Sequence, residues 1–364
     1  MKTLTNTIFY SVISGIVLLF SGCTEEKYYS MDDYNSYEKI DAHVHVNAPN
    51  PLMIDQGRRD NMRLITINTE GWNSLPITEQ QQIAIELKSQ YPGWLAYATT
   101  FSTEGWDDSE TWQNNTINYL KESFDKGAVA AKVWKSIGLV LKDDDDEFVM
   151  IDDPQFDPVF EYLASAGKPL YGHIGEPKNT WLPLEEMSVA QDRNYFENNP
   201  QYHMYLHPEY PSYEQIIEAR DNMLDKNPDL VFIGCHLGSM EWSVDMMAEH
   251  LDKYPNMIYD MAHRIPHIQH HTRQDREKVR NFFIEYQDRL IYSTDLQLYK
   301  DSDPDEVRTL AEDTWINDWE FFVTDNTIDN YQFEGSFQGL KLPIEVVDKL
   351  YRENVQKWIP GTGF

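Results

Sequence analysis

The feature that most constrains this chain is a repeated alternation of two patterns. Eight short apolar runs are separated by longer segments with helical periodicity. The runs are Glu38–Val46, Arg63–Asn68, Trp94–Phe101, Ala128–Lys135, Pro169–Ile174, Leu230–Leu237, Met257–Met261 and Leu290–Asp295. They are rich in β-branched and aromatic residues and apolar nearly throughout, as strands of a parallel sheet covered on both faces must be. Helical patterns lie between them over Ile77–Tyr91, Thr111–Phe124, Phe156–Ala166, Tyr213–Asn227, Glu241–Tyr254 and Arg273–Gln287. Pro92, Gly127, Gly167, Pro228 and Pro255 fall near their ends, where they stop a helix. The alternation predicts an α/β fold closed as a (β/α)8 TIM barrel over residues 38–364, with an open doubly wound sheet as the alternative. Two long insertions, 136–153 after the fourth strand and 175–212 after the fifth, fall on the face where barrel active sites are built.

Charge narrows the partners. The formal net charge is −31. Phosphate recognition needs clustered Lys and Arg, so nucleic acid is not expected. Electrostatic docking on anionic lipid is disfavoured for the same reason.

The N-terminus reads as an export signal over residues 1–22. Lys2 precedes a mostly apolar stretch, Ile8 to Phe20, that is short for a membrane span. Leu19-Phe20-Ser21-Gly22-Cys23 resembles a bacterial lipoprotein signal, which implies a mature chain lipidated at Cys23. The pair Glu25-Glu26 resembles the surface-export signal of Bacteroidetes-type lipoproteins. The resemblance implies an exported protein held at the outer membrane by its lipid alone; a cleaved periplasmic form is the alternative. Residues 23–37 are polar, Tyr-rich and aperiodic, and are expected to act as a tether. The other cysteine, Cys235, sits in an apolar run and reads as core filling.

Ionisable residues recur at the C-terminal ends of the strand-like runs. Asp41-Ala42-His43-Val44-His45 ends the first, and side chains at i and i+2 share a face of a strand. Two histidines so placed can share a divalent metal, although a lone HxH is weak support. His173 ends the fifth run, His236 the sixth and Asp295 the eighth. A single such residue is adequately explained by a hydrogen bond or a helix cap. Five of them on four strands are not, because a barrel gathers those ends around one mouth.

HxH followed by His, His and Asp on later strands resembles the amidohydrolase superfamily, in particular the branch containing aminocarboxymuconate-semialdehyde decarboxylase. Gly339-Leu340-Lys341-Leu342-Pro343 and Leu350-Tyr351-Arg352-Glu353-Asn354 resemble the same branch. The resemblance implies that His43, His45, His173 and Asp295 bind one metal, with His236 beside an activated water and His236 or Asp295 moving protons. Zinc is the expected ion, with manganese and iron as alternatives. Lys132, in Ala131-Lys132-Val133-Trp134-Lys135, matches the position of a carboxylated lysine that bridges two metals in other members. It stays an ordinary cation if the site holds one metal, which is the preferred reading. Arg264, Glu176, Lys178 and Trp134 are expected to contact substrate, and Trp181 to line the same pocket. His203 and His207 read as structural, and the Asp143–Glu147 run as a solvated loop rather than a calcium site. Asp260 ends the seventh run and faces the same mouth, but it equally suits a cap of the turn there and is left out of the metal site.

The expected activity is metal-dependent hydrolysis of a small molecule or oligosaccharide derived from a glycan. A lyase, either dehydratase or decarboxylase, acting on a uronate or other carboxylated substrate is the alternative. A glycan-binding lipoprotein without catalysis is a third reading, and it gives no reason for all five metal-site residues to be present.

Overall fold

The computed structural model describes residues 27–71 and 74–364. The export signal, Cys23 and the Glu25-Glu26 pair lie outside the described residues.

Parallel strands follow one another around a sheet in chain order: β1 (Lys39–Val46), β2 (Met62–Ile67), β3 (Leu95–Thr100), β4 (Ala130–Val133), β5 (Leu170–Gly172), β6 (Phe232–Gly234), β7 (Met257–Asp260) and β8 (Leu290–Ile291). A short strand, β9 (Leu296–Leu298), pairs with β1, while β8 pairs with β7. β8 and β9 are thus two halves of one interrupted strand that joins both ends of the sheet. The backbone between them carries the closure, with Ala42 N donating to Tyr292 O and Asp295 N to His43 O. The sheet is therefore a closed barrel, which excludes the open doubly wound alternative. Every expected run overlaps its strand, most being trimmed by a residue or more at their ends, while β2 starts one residue earlier than expected, at Met62.

The barrel has two apolar layers. Ile40, Ala42, Ile65, Ile67, Ala96 and Ala98 point into the barrel, whose interior is completed by Val355 and Ile359 from the C-terminal helices. Val44, Val46, Met62, Leu64 and Leu95 belong to the outer layer against the surrounding helices. The inner layer is built largely of small and β-branched residues, as a narrow barrel requires.

In β1 this division breaks strict alternation. Ile40 and Ala42 are inner, yet Val44 is outer. The register with β2 slips between Asp41 and Val44, one extra residue being accommodated in β1. This bulge turns His43 and His45 inward and leaves Asp41 on the outer side. Bulges are a common means of re-aiming a side chain beside a site.

Several helices not anticipated from the sequence complete the shell, notably Leu52–Arg59, Ile265–Gln274 and Pro304–Val323. The last begins with Asp303 accepting from Asp305 N and Glu306 N and has Pro304 at its first position, a well-formed helix start. It buries Trp315 and Trp319 completely. Part of the expected tether is docked instead of extended. Tyr34 and Tyr37 are buried, Tyr29 and Tyr37 pack against Trp319, and Tyr29 OH donates to Asp348. Their aromatic area makes burial favourable where a polar linker would remain in water. Among the described residues, no helix is long and apolar enough to cross a membrane.

Candidate metal centre

The strand ends converge on a cavity of about 300 Å³ at the C-terminal mouth of the barrel. His43 and His45 enter from the β1 bulge. His43 Nδ1 donates to Asp260 Oδ2 at 2.8 Å, and His45 Nδ1 donates to Ile67 O at 2.7 Å. With both Nδ1 atoms committed, both Nε2 atoms carry lone pairs. These face one another at 3.3 Å, and Asp295 Oδ1 lies 3.5 Å from one and 3.1 Å from the other. Three acceptors crowded together repel unless a cation lies among them. Two nitrogens held at about 2.1 Å from a tetrahedral metal are about 3.4 Å apart, close to the spacing seen. The donor set fits a first-row divalent ion.

His173 and His236 extend the cluster. His236 Nδ1 donates to Ala262 O at 2.8 Å, so its Nε2 accepts from His173 Nδ1 at 3.1 Å. This leaves His173 Nε2 with a lone pair, buried and without a hydrogen-bond partner among the described residues. An orphaned acceptor beside this cavity is what a fourth ligand to the ion would present. Burial holds His43, His173 and His236 below the usual imidazole range, which favours the neutral form a ligand needs. Burial opposes the charge of Asp295, but the His263 ring beside it holds its carboxyl well below the ordinary range.

The backbone at these positions is unusual. Asp295, His236 and His263 have φ of 69°, 58° and 60°. Non-glycine residues there cost about 1–3 kcal/mol each and persist only where surroundings enforce them. Gly238 closes the His236 turn with φ 61°, and a Cβ there would meet the Tyr259 ring at 2.6 Å.

Two residues passed over in the sequence prove central. Asp260, left out of the metal site, does cap its turn by accepting from Ala262 N at 3.2 Å, and it also accepts from His43 Nδ1 and from His236 N at 2.7 Å. It fixes the tautomer of one candidate ligand and the placement of the next histidine. Its parity with Ile258 on β7 was the available signal. His263 places Nδ1 3.6 Å from Asp295 Oδ2 at the half-exposed rim. It lies beyond a strand end, where periodicity carries no information.

Lys132 is buried and points inward from β4, in step with Ala130. Its ammonium donates to Cys235 Sγ at 2.9 Å, so Cys235 both fills the core and seats this lysine. A second candidate cluster, His43, Cys235 and Asp260, surrounds this point. His43 Nδ1 is already bonded to Asp260 there, so it reads as a hydrogen-bonded support rather than an open ion site. Trp134, Glu176 and Arg264 line the cavity as expected. Lys178 and Trp181 do not. The Lys178 ammonium lies 4.1 Å over the Trp242 ring, and Trp181 packs edge-on against Tyr213. The loop leaves Glu176 for the outside of the barrel, and the cation follows the aromatic faces there. Arg264 directly precedes the Ile265–Gln274 helix. His203 bonds to Leu182 O and His207 to Glu209 and Pro200 O, as structural histidines do. In the acidic loop Asp143 Oδ1 accepts from the Asp145 and Glu147 amides, an exposed turn.

Fold and site together define a metal-dependent (β/α)8 enzyme. The amidohydrolase family model Amidohydro_2 matches residues 109–360, and the chain belongs to that family. Among solved structures it is similar to 2,6-dihydroxybenzoate decarboxylase from Rhizobium, with 15% identity, coverage of 88% of this chain and 98% of that one, and a TM-score of 0.50. A complex of 2,6-dihydroxybenzoate decarboxylase with 2,6-dihydroxybenzoate matches equally well, at 16% identity over 88% and 98% of the two chains with a TM-score of 0.50. No curated protein matches the sequence.

Proposed function

We propose that the protein is a metal-dependent lyase that acts on a small carboxylated substrate. One observation carries this reading. In a chain of net charge −31, Lys132 and Arg264 line the same cavity as the His43–His45–Asp295 cluster. Two buried cations beside a metal centre, in a protein that otherwise repels anions, suit a substrate carboxylate. The fold likeness to a decarboxylase of an aromatic acid is compatible with this. The carboxylated-substrate reading also keeps the branch named from the sequence.

The bound ion, held by His43, His45, His173 and Asp295, would supply Lewis acidity toward a substrate oxygen. Zinc, manganese or iron all suit the donors. The protein residues divide the rest. Arg264 and Lys132 orient and neutralise the anion. Asp260 holds His43, and Ala262 O holds His236, so neither ring turns. Asp295, with Oδ2 toward His263, is placed to pass a proton between the substrate and the rim. In a decarboxylation the bond to the carboxyl carbon breaks, carbon dioxide leaves, and the remaining carbon takes that proton. Lys132 acts here as an ammonium, which keeps the site at one ion.

Hydrolysis is the second reading. It is favoured by the same Asp295–His263 contact, which equally suits a base that activates water. A panel of aromatic acids and uronates, with their lactones and esters, separates the two when products of metal-loaded protein are weighed by mass spectrometry. Loss of carbon dioxide or water supports the lyase; gain of one water shows hydrolysis and overturns it.

The substrate is proposed to come from glycan breakdown at the cell surface, with Cys23 as the lipid anchor. The support is the Leu19–Cys23 signal and the acidic pair after it. Fatty-acid labelling lost in Cys23→Ser tests the anchor.

A further inference from the structure

A second cavity, of about 340 Å³, adjoins the metal-centre cavity. The two share one wall, the ion pair between Lys135 and Glu176. Lys135 extends from just beyond β4 and Glu176 from just beyond β5, so the pair bridges the two long insertions. On its far side lie Leu139, Gln201, Tyr202, Met204 and Tyr210. This lining differs in kind from that of the first cavity. It holds no histidine cluster and no cation besides the shared Lys135. It combines two phenol rings and a thioether with an amide and the two charged groups of the wall. Aromatic faces beside hydrogen-bonding groups suit a hydroxylated ring, whose C–H faces lie on aromatic carbons while its hydroxyls reach polar atoms. A purely aryl or alkyl group would leave the wall charges and Gln201 without exchange for the water they lose. The surroundings continue the theme, since Tyr195 and Tyr205 are largely exposed on the same insertion.

We propose that this cavity is a binding subsite for a neutral sugar ring, so that the substrate is an acidic oligosaccharide. Its carboxylate-bearing residue occupies the metal-centre cavity, and the next residue crosses the Lys135–Glu176 wall. The proposal rests on the carboxylated-substrate reading and adds the length and class of the substrate to it.

The test measures binding of acidic sugars to metal-loaded full-length protein by calorimetry. The probes are glucuronate, galacturonate and mannuronate, the disaccharides in which each of these is joined to a neutral hexose, and benzoate as an acid without a second ring. At least one disaccharide is expected to bind tenfold or more tightly than its own uronate. Met204→Trp, which fills the subsite, should remove that gain and leave uronate affinity within twofold. Gln201→Ala, at an exposed position, should reduce the gain severalfold and guards against a folding defect in the tryptophan variant. If no disaccharide exceeds its uronate, or the gain survives both substitutions, the subsite is wrong while the carboxylate reading stands. If benzoate and uronates all fail to bind, the carboxylate reading falls and takes the subsite with it.

Discussion

The two faces of β1 carry buried polar groups of opposite character. On the inner face His43 and His45 direct lone pairs at each other and at Asp295. On the outer face Asp41 is fully provided for. It accepts from Thr294 Oγ1 at 2.5 Å, Trp315 Nε1 at 2.9 Å, Thr294 N at 3.1 Å and His43 N at 3.3 Å. Both regions are largely buried. The difference is that protein donors satisfy Asp41, whereas among the described residues no donor answers the lone pairs of the two Nε2 atoms. A closed hydrogen-bond account marks scaffold, and an open one marks a place for a ligand. The two are coupled, because Asp41 holds Thr294, and Thr294 sets the turn that aims Asp295.

The largest effects are expected on the inner face. His43→Ala or Asp295→Asn should remove the metal and reduce activity by more than about 100-fold in protein that still folds but has lost the stability the ion supplies. Metal content by elemental mass spectrometry checks it; retention of a full equivalent in both variants would refute the site. Chelation of the wild type should do the same and lower Tm, since a metal at about 1,000 times its Kd adds about 4 kcal/mol to stability.

The outer face should behave in the opposite way. Asp41→Ala leaves the Trp315 and Thr294 donors buried without an acceptor and should cost about 3 kcal/mol in denaturant unfolding. Its metal loss should follow from the loosened Asp295 turn and be smaller than in His43→Ala. Asp260→Ala lies between the two and should weaken metal affinity about 10- to 100-fold.

A smaller effect separates scaffold from site by pH. Asp318, on the outer side, accepts from Tyr292 OH at 2.9 Å, and burial lifts its carboxyl to about 8. The unfolded chain releases that proton near pH 4. Stability from this group is therefore complete below about pH 4 and lost progressively as pH rises toward 8. Asp318→Asn should raise Tm at pH 7.5 by about 2–4 °C more than at pH 4.5. An equal shift at both values would show that the carboxyl is ionised in place. Least of all, Lys178→Ala should leave activity within about twofold, since its ammonium sits on Trp242 outside the cavity and surface changes of this kind are small.

Much of this was legible in the chain. Strand and helix alternation gave the closed barrel, because parallel strands covered on both faces must be apolar throughout, whatever their neighbours. The ionisable residues at strand ends gave His43, His45, His173, His236 and Asp295, because a barrel brings matching ends together. Asp260 was visible by its step with Ile258, yet its role depended on where His43 Nδ1 points. His263, the departure of Lys178 and Trp181, and the docking of Tyr29 to Tyr37 were not legible, since loops and termini follow contacts that periodicity does not encode.

The deepest limit lies in β1 itself. That His43 and His45 share a face follows from their spacing alone, because side chains alternate along any strand. Spacing could not decide which face. Strict alternation from the inward Ile40 and Ala42 would have turned both histidines toward the helices and Asp41 with them. One extra residue taken up between Asp41 and Val44 reverses the sense. That bulge is settled by pairing with β2 on one side and with β9 on the other, both contributed from elsewhere in the chain, so it is the tertiary fold that turns two histidines into a candidate metal centre.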